Sequence, residues 1–542
     1  MNSLRRIADM KIPRSNLDLS NERKGTGDMG KLHIVNVLEC VPSDILDLGI
    51  SAVVRLQPLV APILHSIRVR FYSFFVPYRI LFNDSASNNW EEFITRGEDG
   101  DSAITLPVTD PDDATTPADV VAKGTIWDEC GFPVGVIPAS GSCPLDFPRR
   151  AYIDIWNEYF RDPNVQAELD YTDIDTTMDI LRKNWDQATH LEAALPWRQR
   201  GSAPAISVLG TGTVAFAPDY QDLSAATINE AVWPAKYTAH ATQYMAVTGA
   251  SASSSGDIDV VNDQTHFDEF WDNLNATVAG SSFSGTDIAD LRLAFQLQVW
   301  KERNARAGYR YIEQLQSHYN ISPNDARLQR PELIGTSVDD LIVSEVLQTS
   351  ATDTGTSSQS PQGNLAGHGI SVQSGHLGKY RVEEHGLVMT LMCVVPKPVY
   401  NSQGIHRSWL RRTTFDFYFP EFVGLSEQAI YNAEVAAQSQ TADPSSTHNL
   451  GTFGYTGAWD ELRFKPNEIV GDMRDTFDYW TLARQFATPD STPPALNTAF
   501  LECNPRKDAF AATSEPAFMY TVGNHISALR PLTFMAIPYE LG

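Results

Sequence analysis

The chain has 542 residues, 42% of them apolar and 20% charged, a globular composition that excludes collagen-like, coiled-coil and disordered classes. Its 67 acidic residues outnumber 41 basic ones, and the formal charge of −26 excludes a free-standing nucleic-acid binder with a basic face. Five cysteines without a C-x-x-C pair exclude a disulfide framework or structural zinc site and predict free thiols in a reducing compartment.

The first 80 residues depart from the acidic whole, with a net charge of +4. Residues 1–30 show little periodicity, and the glycines between Lys24 and Gly27 predict a flexible basic arm. Arg5, Arg6, Lys11 and Arg14 are its candidate DNA contacts, since each neutralised phosphate adds salt-dependent affinity. The same segment lacks the apolar stretch of a secretory signal, so a soluble chain made in the cytoplasm is expected. Strand-like runs follow at 31–40, 45–56 and 65–76, with strict alternation from Ser66 to Tyr72 and closing prolines at Pro42, Pro58, Pro62 and Pro77.

Residues 98–129 set nine acids against Lys123 alone and predict a solvated acidic loop. Tyr152, Ile155, Trp156 and Tyr159 recur at helical spacing and predict a helix over 149–160. Residues 202–290 carry eleven acids, with Lys236 the one basic residue, in an Ala/Ser/Thr/Gly-rich background. Trp233, Tyr237, Tyr244, Phe267, Phe270 and Trp271 give that stretch material for a small core, so it reads as an ordered surface insertion. Helical spacing returns over 291–311, a loop-rich segment runs to about 369, and strand-like runs resume at 379–395, 413–419 and 517–535. The most apolar window, 387–396, is about half the roughly 20 residues that a bilayer span needs. Strands thus concentrate at 31–80 and 370–540. One mainly β domain with long insertions fits better than several domains in series.

No catalytic constellation emerges. Glu383-Glu384-His385 is the densest titratable cluster, but in a strand its side chains point to opposite faces, so these groups read as structural polar residues. The twelve histidines form neither H-x-H nor H-x-x-x-H, and Asp110-Pro111-Asp112-Asp113 lacks the glycine and terminal glutamate of a calcium loop. Gly25 to Lys31 has the spacing of a phosphate loop, yet Leu32 stands where a magnesium-binding hydroxyl belongs. No metal, cofactor or enzymatic activity is expected.

Ordered blocks along the whole chain resemble the major capsid proteins of the Microviridae, of the gokushovirus type. They include Phe74-Phe75-Val76-Pro77-Tyr78-Arg79, the run from Ala151 to Asp162, and Leu195-Pro196-Trp197 with Gln199 and Gly201. Others are Asp325-Ala326-Arg327-Leu328-Gln329-Arg330-Pro331-Glu332, Ser360 to Ala366, Glu384-His385-Gly386, Arg412 to Tyr418, Trp459 to Pro466 and Ala528-Leu529-Arg530-Pro531. The resemblance is weakest in 98–129 and 202–290.

The resemblance implies a viral eight-stranded antiparallel jelly roll with long loops, spanning 31–542 behind an interior-facing arm. It implies about sixty copies closing an icosahedral T=1 shell in the virion, since closed symmetry needs complementary patches on each copy. The partners it implies are packaged single-stranded DNA, a small basic DNA-binding protein, an internal scaffolding protein, a DNA pilot protein and a host surface receptor, with assembly in the bacterial cytoplasm. Residues 202–290 are then the candidate threefold protrusion, with Trp233, Tyr237 and Tyr244 as candidate host-recognition residues. The rival reading is a jelly-roll carbohydrate-binding or glycan-cleaving protein, which needs an exposed carboxylate pair about 5–10 Å apart in a cleft.

Overall fold

The computed structural model describes residues 14–85, 88–90, 93, 104–171, 173–174, 178–198, 329–347, 365–382, 384–401, 403–486, 495–532 and 534–535, and the backbone of 244–246 and 259–261. The chain divides into two compact units, Met1–Arg200 with Glu302–Gly542, and Gly201–Lys301. In the second unit the described residues are two short antiparallel strands, Tyr244–Ala246 and Asp259–Val261.

The first unit is built on strands β1 (Ser15–Asp18), β2 (Asn21–Gly27), β3 (His33–Cys40), β4 (Ile45–Leu56) and β5 (Ile67–Pro77). Helix α1 (Phe147–Ile155) follows, then β6 (Glu332–Leu347), β7 (Leu365–Arg381) and β8 (Gly386–Pro396). A separate hairpin pairs β9 (Glu427–Tyr431) with β10 (Thr452–Gly457), and β11 (Phe518–Arg530) closes the series. The main sheet runs β1-β11-β4-β7-β6-β5-β8-β3, with β2 also on β11, and every pairing in it is antiparallel. Its nine strands, curled on themselves and joined by long excursions, make a mainly β, jelly-roll-like fold.

The curl depends on β6. Glu332 to Leu341 pair with β5, whereas Ile342 to Leu347 pair with β7, so one strand belongs to both halves of the sheet. A register shift between Leu333 and Gly335 bends it. At Gly335 a Cβ would lie 1.7 Å from the Leu377 carbonyl oxygen, so any other residue would force the two strands apart.

Alternation explains the core. On β4, Leu46, Leu48, Ile50, Ala52, Val54 and Leu56 point inward, and they meet Ile67, Val69, Phe71, Val388, Met392, Phe518 and Val522 between the two halves of the sheet. The opposite face of β3, β5 and β8 is covered by α1. There Ile34, Phe74, Leu387, Met389 and Leu391 pack against Tyr152, Ile155, Trp156 and Phe160. Strand β8 is therefore buried on both faces, which is why its sequence is continuously apolar instead of alternating.

Several expectations are corrected. Strands β1 and β2 pair along β11, so residues 15–27 are not a flexible arm; their polar sequence carries no strand signal because edge strands need only backbone partners. Glu384 and His385 lie in a bend between β7 and β8, not within one strand over 379–395. Residues 332–347, expected as loop, form β6. The aromatic run 413–419 is not a strand either, but a 3-10 turn at Thr414–Asp416 with extended flanks. Within 104–129 the acidic loop folds into short helical turns that bury Trp127 and Glu129. The helix over 149–160 is present as α1, continued by a π turn at Trp156–Phe160.

Candidate interaction surfaces

The excursion between β8 and β11 leaves a group of its aromatic side chains, within 409–419, in solvent. Trp409 is 76% and Phe415 77% exposed, and Phe417, Tyr418, Phe419, Val423 and Leu425 are exposed beside them. These residues are nonetheless held in place. A capping box joins Thr413 and Asp416 at the 3-10 turn. The backbone N–H groups of Arg412 and Thr413 donate to Asp416 at 2.8 and 2.7 Å and hold its carboxyl below the usual range. The Arg411 guanidinium lies 5.4 Å from the Phe417 ring and donates to the buried Glu461 at 3.0 Å. Tyr418 meets Trp459 edge-on at 5.4 Å. An ordered, exposed aromatic surface of this kind has already lost the side-chain freedom that binding would otherwise cost.

Behind that surface lies a cavity of about 270 Å³, lined in part by His190, Tyr400, His406, Trp409, Glu434 and Arg474. Its polar wall is braced by ion pairs. Arg407 donates to Glu434 at 3.1 Å, the Tyr431 N–H donates to the same carboxylate oxygen at 2.9 Å, and His190 Nε2 stands 3.5 Å from the other oxygen. Tyr400 donates to Glu192 at 2.7 Å, and Glu192 is also held by the Thr189 backbone N–H at 2.8 Å.

Of the residues singled out from sequence, Arg5, Arg6, Lys11, Trp233 and Tyr237 lie outside the described residues. Arg14 is exposed immediately before β1, and Tyr244 begins a short strand whose backbone alone is described. Glu384 receives both Nε and Nη2 of Arg79 at 2.9 Å, and the His385 carbonyl accepts the Tyr78 N–H at 3.0 Å. The two residues thus fasten the turn after β5 to the turn before β8. The exposed residues of 409–425 escaped a reading from pattern because an aromatic at alternate positions signals a strand as readily as a contact surface.

The excursion between β8 and β11 thus presents held aromatics to solvent, a composition that marks interaction surfaces. Residues 6–539 match the family described as "Capsid protein (F protein)". "Capsid protein VP1" of Chlamydia phage 1 is 31% identical, with 97% of this chain and 96% of the relative covered. The protein of the same name from Bdellovibrio phage phiMH2K is 30% identical over 100% and 98%, and that from Spiroplasma virus 4 is 28% identical over 88% and 86%. The chain belongs to this capsid protein family, of the gokushovirus type within the Microviridae, and its role at that level is that of a structural major capsid protein.

Proposed function

We propose that about sixty copies of the chain close an icosahedral T=1 shell around a circular single-stranded DNA genome, assembled in the bacterial cytoplasm. The observation that carries this reading is the family match across 6–539, together with near-complete coverage of relatives that are capsid proteins. The exposed aromatic face of 409–425 is the surface through which neighbouring copies meet. Electron microscopy of the expressed protein, alone and with its viral partners, tests the reading. Small closed particles are expected, and a chain that stays monomeric under all these conditions overturns it.

The excess of acid on the subunit makes it a poor sole partner for DNA. A small basic DNA-binding protein is therefore assigned most of the neutralisation, with an internal scaffolding protein and a DNA pilot protein as further partners. The basic residues Arg5, Arg6, Lys11 and Arg14 add a local contribution at the genome, and exposure of Arg14 just ahead of β1 supports that reading. Replacing all four by Gln lowers DNA retention and flattens its salt dependence if they release counterions.

Residues 202–290 form the threefold protrusion that meets the host receptor, and Trp233, Tyr237 and Tyr244 are the recognition candidates. Eleven carboxylates beside one lysine are tolerable where water screens them and costly beside phosphates. With a short Gly-Ser linker in place of 202–290, particles form but adsorb poorly to cells. Normal adsorption would refute the receptor role.

A further inference from the structure

We propose that the far end of β6, residues 342–347, pairs with the same segment of a second copy, antiparallel across a twofold axis. The inference rests on the shell reading above and adds a second contact to the aromatic face. Its starting point is that β6 runs past its neighbour. Strand β5 begins at Ile67, which pairs with Leu341, so beyond that point β6 has β7 on one side only. Alternate residues of 342–347 therefore turn their backbone N–H and C=O away from β7, and among the described residues no strand meets them there. An open edge of this kind is a template for another strand.

The edges of the sheet differ in how they are guarded. The edge formed by β1 and β2 carries Asp18, Glu22, Arg23 and Lys24, and charge along an edge discourages pairing. The end of β6 carries a single charge, Glu345, and leaves Ile342 and Val346 69% and 50% exposed on one face. An unguarded aliphatic edge calls for a cover, and for a member of a capsid protein family the neighbour at hand is a second copy. The residue pattern then fixes the register. Twofold pairing centred on Ser344 sets Ile342 opposite Val346 of the second copy, twice, and sets Glu345 opposite Val343. Centring on Glu345 instead opposes like charges, and centring on Val343 leaves Val346 without an aliphatic partner. A slip of one residue turns the aliphatic side chains of the two copies to opposite faces. The segment thus complements itself in one register, as an isologous contact requires.

The test uses the full-length chain. Ile342→Lys guards the edge with a charge and is expected to raise the concentration for half-assembly at least tenfold, followed by sedimentation velocity. Adding Val346→Glu brings opposite charges face to face twice across the axis and returns that concentration to within threefold of wild type. Subunit melting stays within a few degrees of wild type in both, because both side chains are exposed. Ser344→Cys is a separate measurement that stays informative if Ile342→Lys does not fold. In the proposed register its Cα lies about 4.5–5.5 Å from that of its mate, within reach of a disulfide. Oxidation with diamide then yields covalent dimers and no longer ladder, whereas the wild type with its five cysteines yields none. Wild-type assembly by Ile342→Lys, a double variant no better than the single one, or no covalent dimer from Ser344→Cys overturns the inference and leaves the shell reading standing. A wild-type chain that never forms particles overturns the shell reading, and the Ser344→Cys dimer then decides the edge alone.

Discussion

Strand β8 and the stretch 415–425 are both eleven-residue runs rich in large apolar side chains, yet every residue of β8 is buried and almost none of 415–425 is. The difference lies in what accompanies the apolar groups. Residues 386–396 contain no charge and only a terminal proline, so the backbone pairs with β3 on one side and β5 on the other. Residues 415–425 include Asp416, Pro420, Glu421 and Gly424, which interrupt any ladder and leave the rings on a turn. Hydrophobicity thus fixes that a segment must be covered. Backbone pairing decides whether its own fold or another molecule covers it.

The sharpest way to break the comparison is to damage the layer that covers β8. Asp146 is buried beneath it and accepts from Arg149 Nε and Nη2 at 2.7 and 2.6 Å, from Arg150 Nε at 2.9 Å and from Thr109 at 2.7 Å. Asp146→Ala takes from two buried guanidiniums the carboxylate they share and is expected to cost about 3 kcal/mol in denaturant unfolding. Leu391→Ala, within β8 itself, leaves a cavity on the α1 side and is expected to cost about 3 kcal/mol by the same measurement.

Asp154 on α1 sharpens the comparison through pH. Burial, then the charges of Glu158 and Glu168, push its carboxyl up to about 7. Between about pH 4 and 7 the native state keeps a proton that the unfolded chain has lost, so this group's contribution to stability falls as pH rises through that window. Above pH 7 the full penalty stands. Asp154→Asn is therefore expected to stabilise the subunit by about 2 kcal/mol at pH 8 and little at pH 4, measured as paired thermal melts. An equal effect at both pH values would refute the assignment.

The smallest effect on the isolated subunit, and the largest contrast with β8, belongs to the exposed rings. Phe415→Ala with Phe417→Ala should change unfolding free energy by less than about 0.5 kcal/mol, as surface substitutions do. The same pair should raise the concentration for shell formation at least tenfold. A marked loss of subunit stability would mean that the rings are core.

Much of the sheet was legible because β4, β11 and the first half of β5 bury one face and alternate accordingly. The two-sided burial of β8 and the helical spacing of α1 were equally open to reading. Strands β1 and β2 were not, since Asn21 to Gly27 holds on to β11 through backbone groups that composition does not report. Strands β6 and β7 hid for a related reason: Val338, Ile342, Val346 and Val372 are exposed on them, so no clean inward stripe marks either strand. The cavity lay further from view. His190, His406 and Glu434 come together only when the β9–β10 hairpin folds back on the segment after residue 185, and no local spacing encodes that meeting.

The strand order carries a consequence for synthesis at the ribosome. Leu56 on β4 pairs with Phe518 on β11, more than 450 residues later in the chain. At about 5–20 residues per second that interval lasts roughly 25–90 s, during which β4 lacks its final neighbour. Partly made chains therefore cannot present a finished subunit to one another. Strand β11 is the piece that completes this side of the sheet, and β4 takes its final partner only once Phe518–Arg530 has been made.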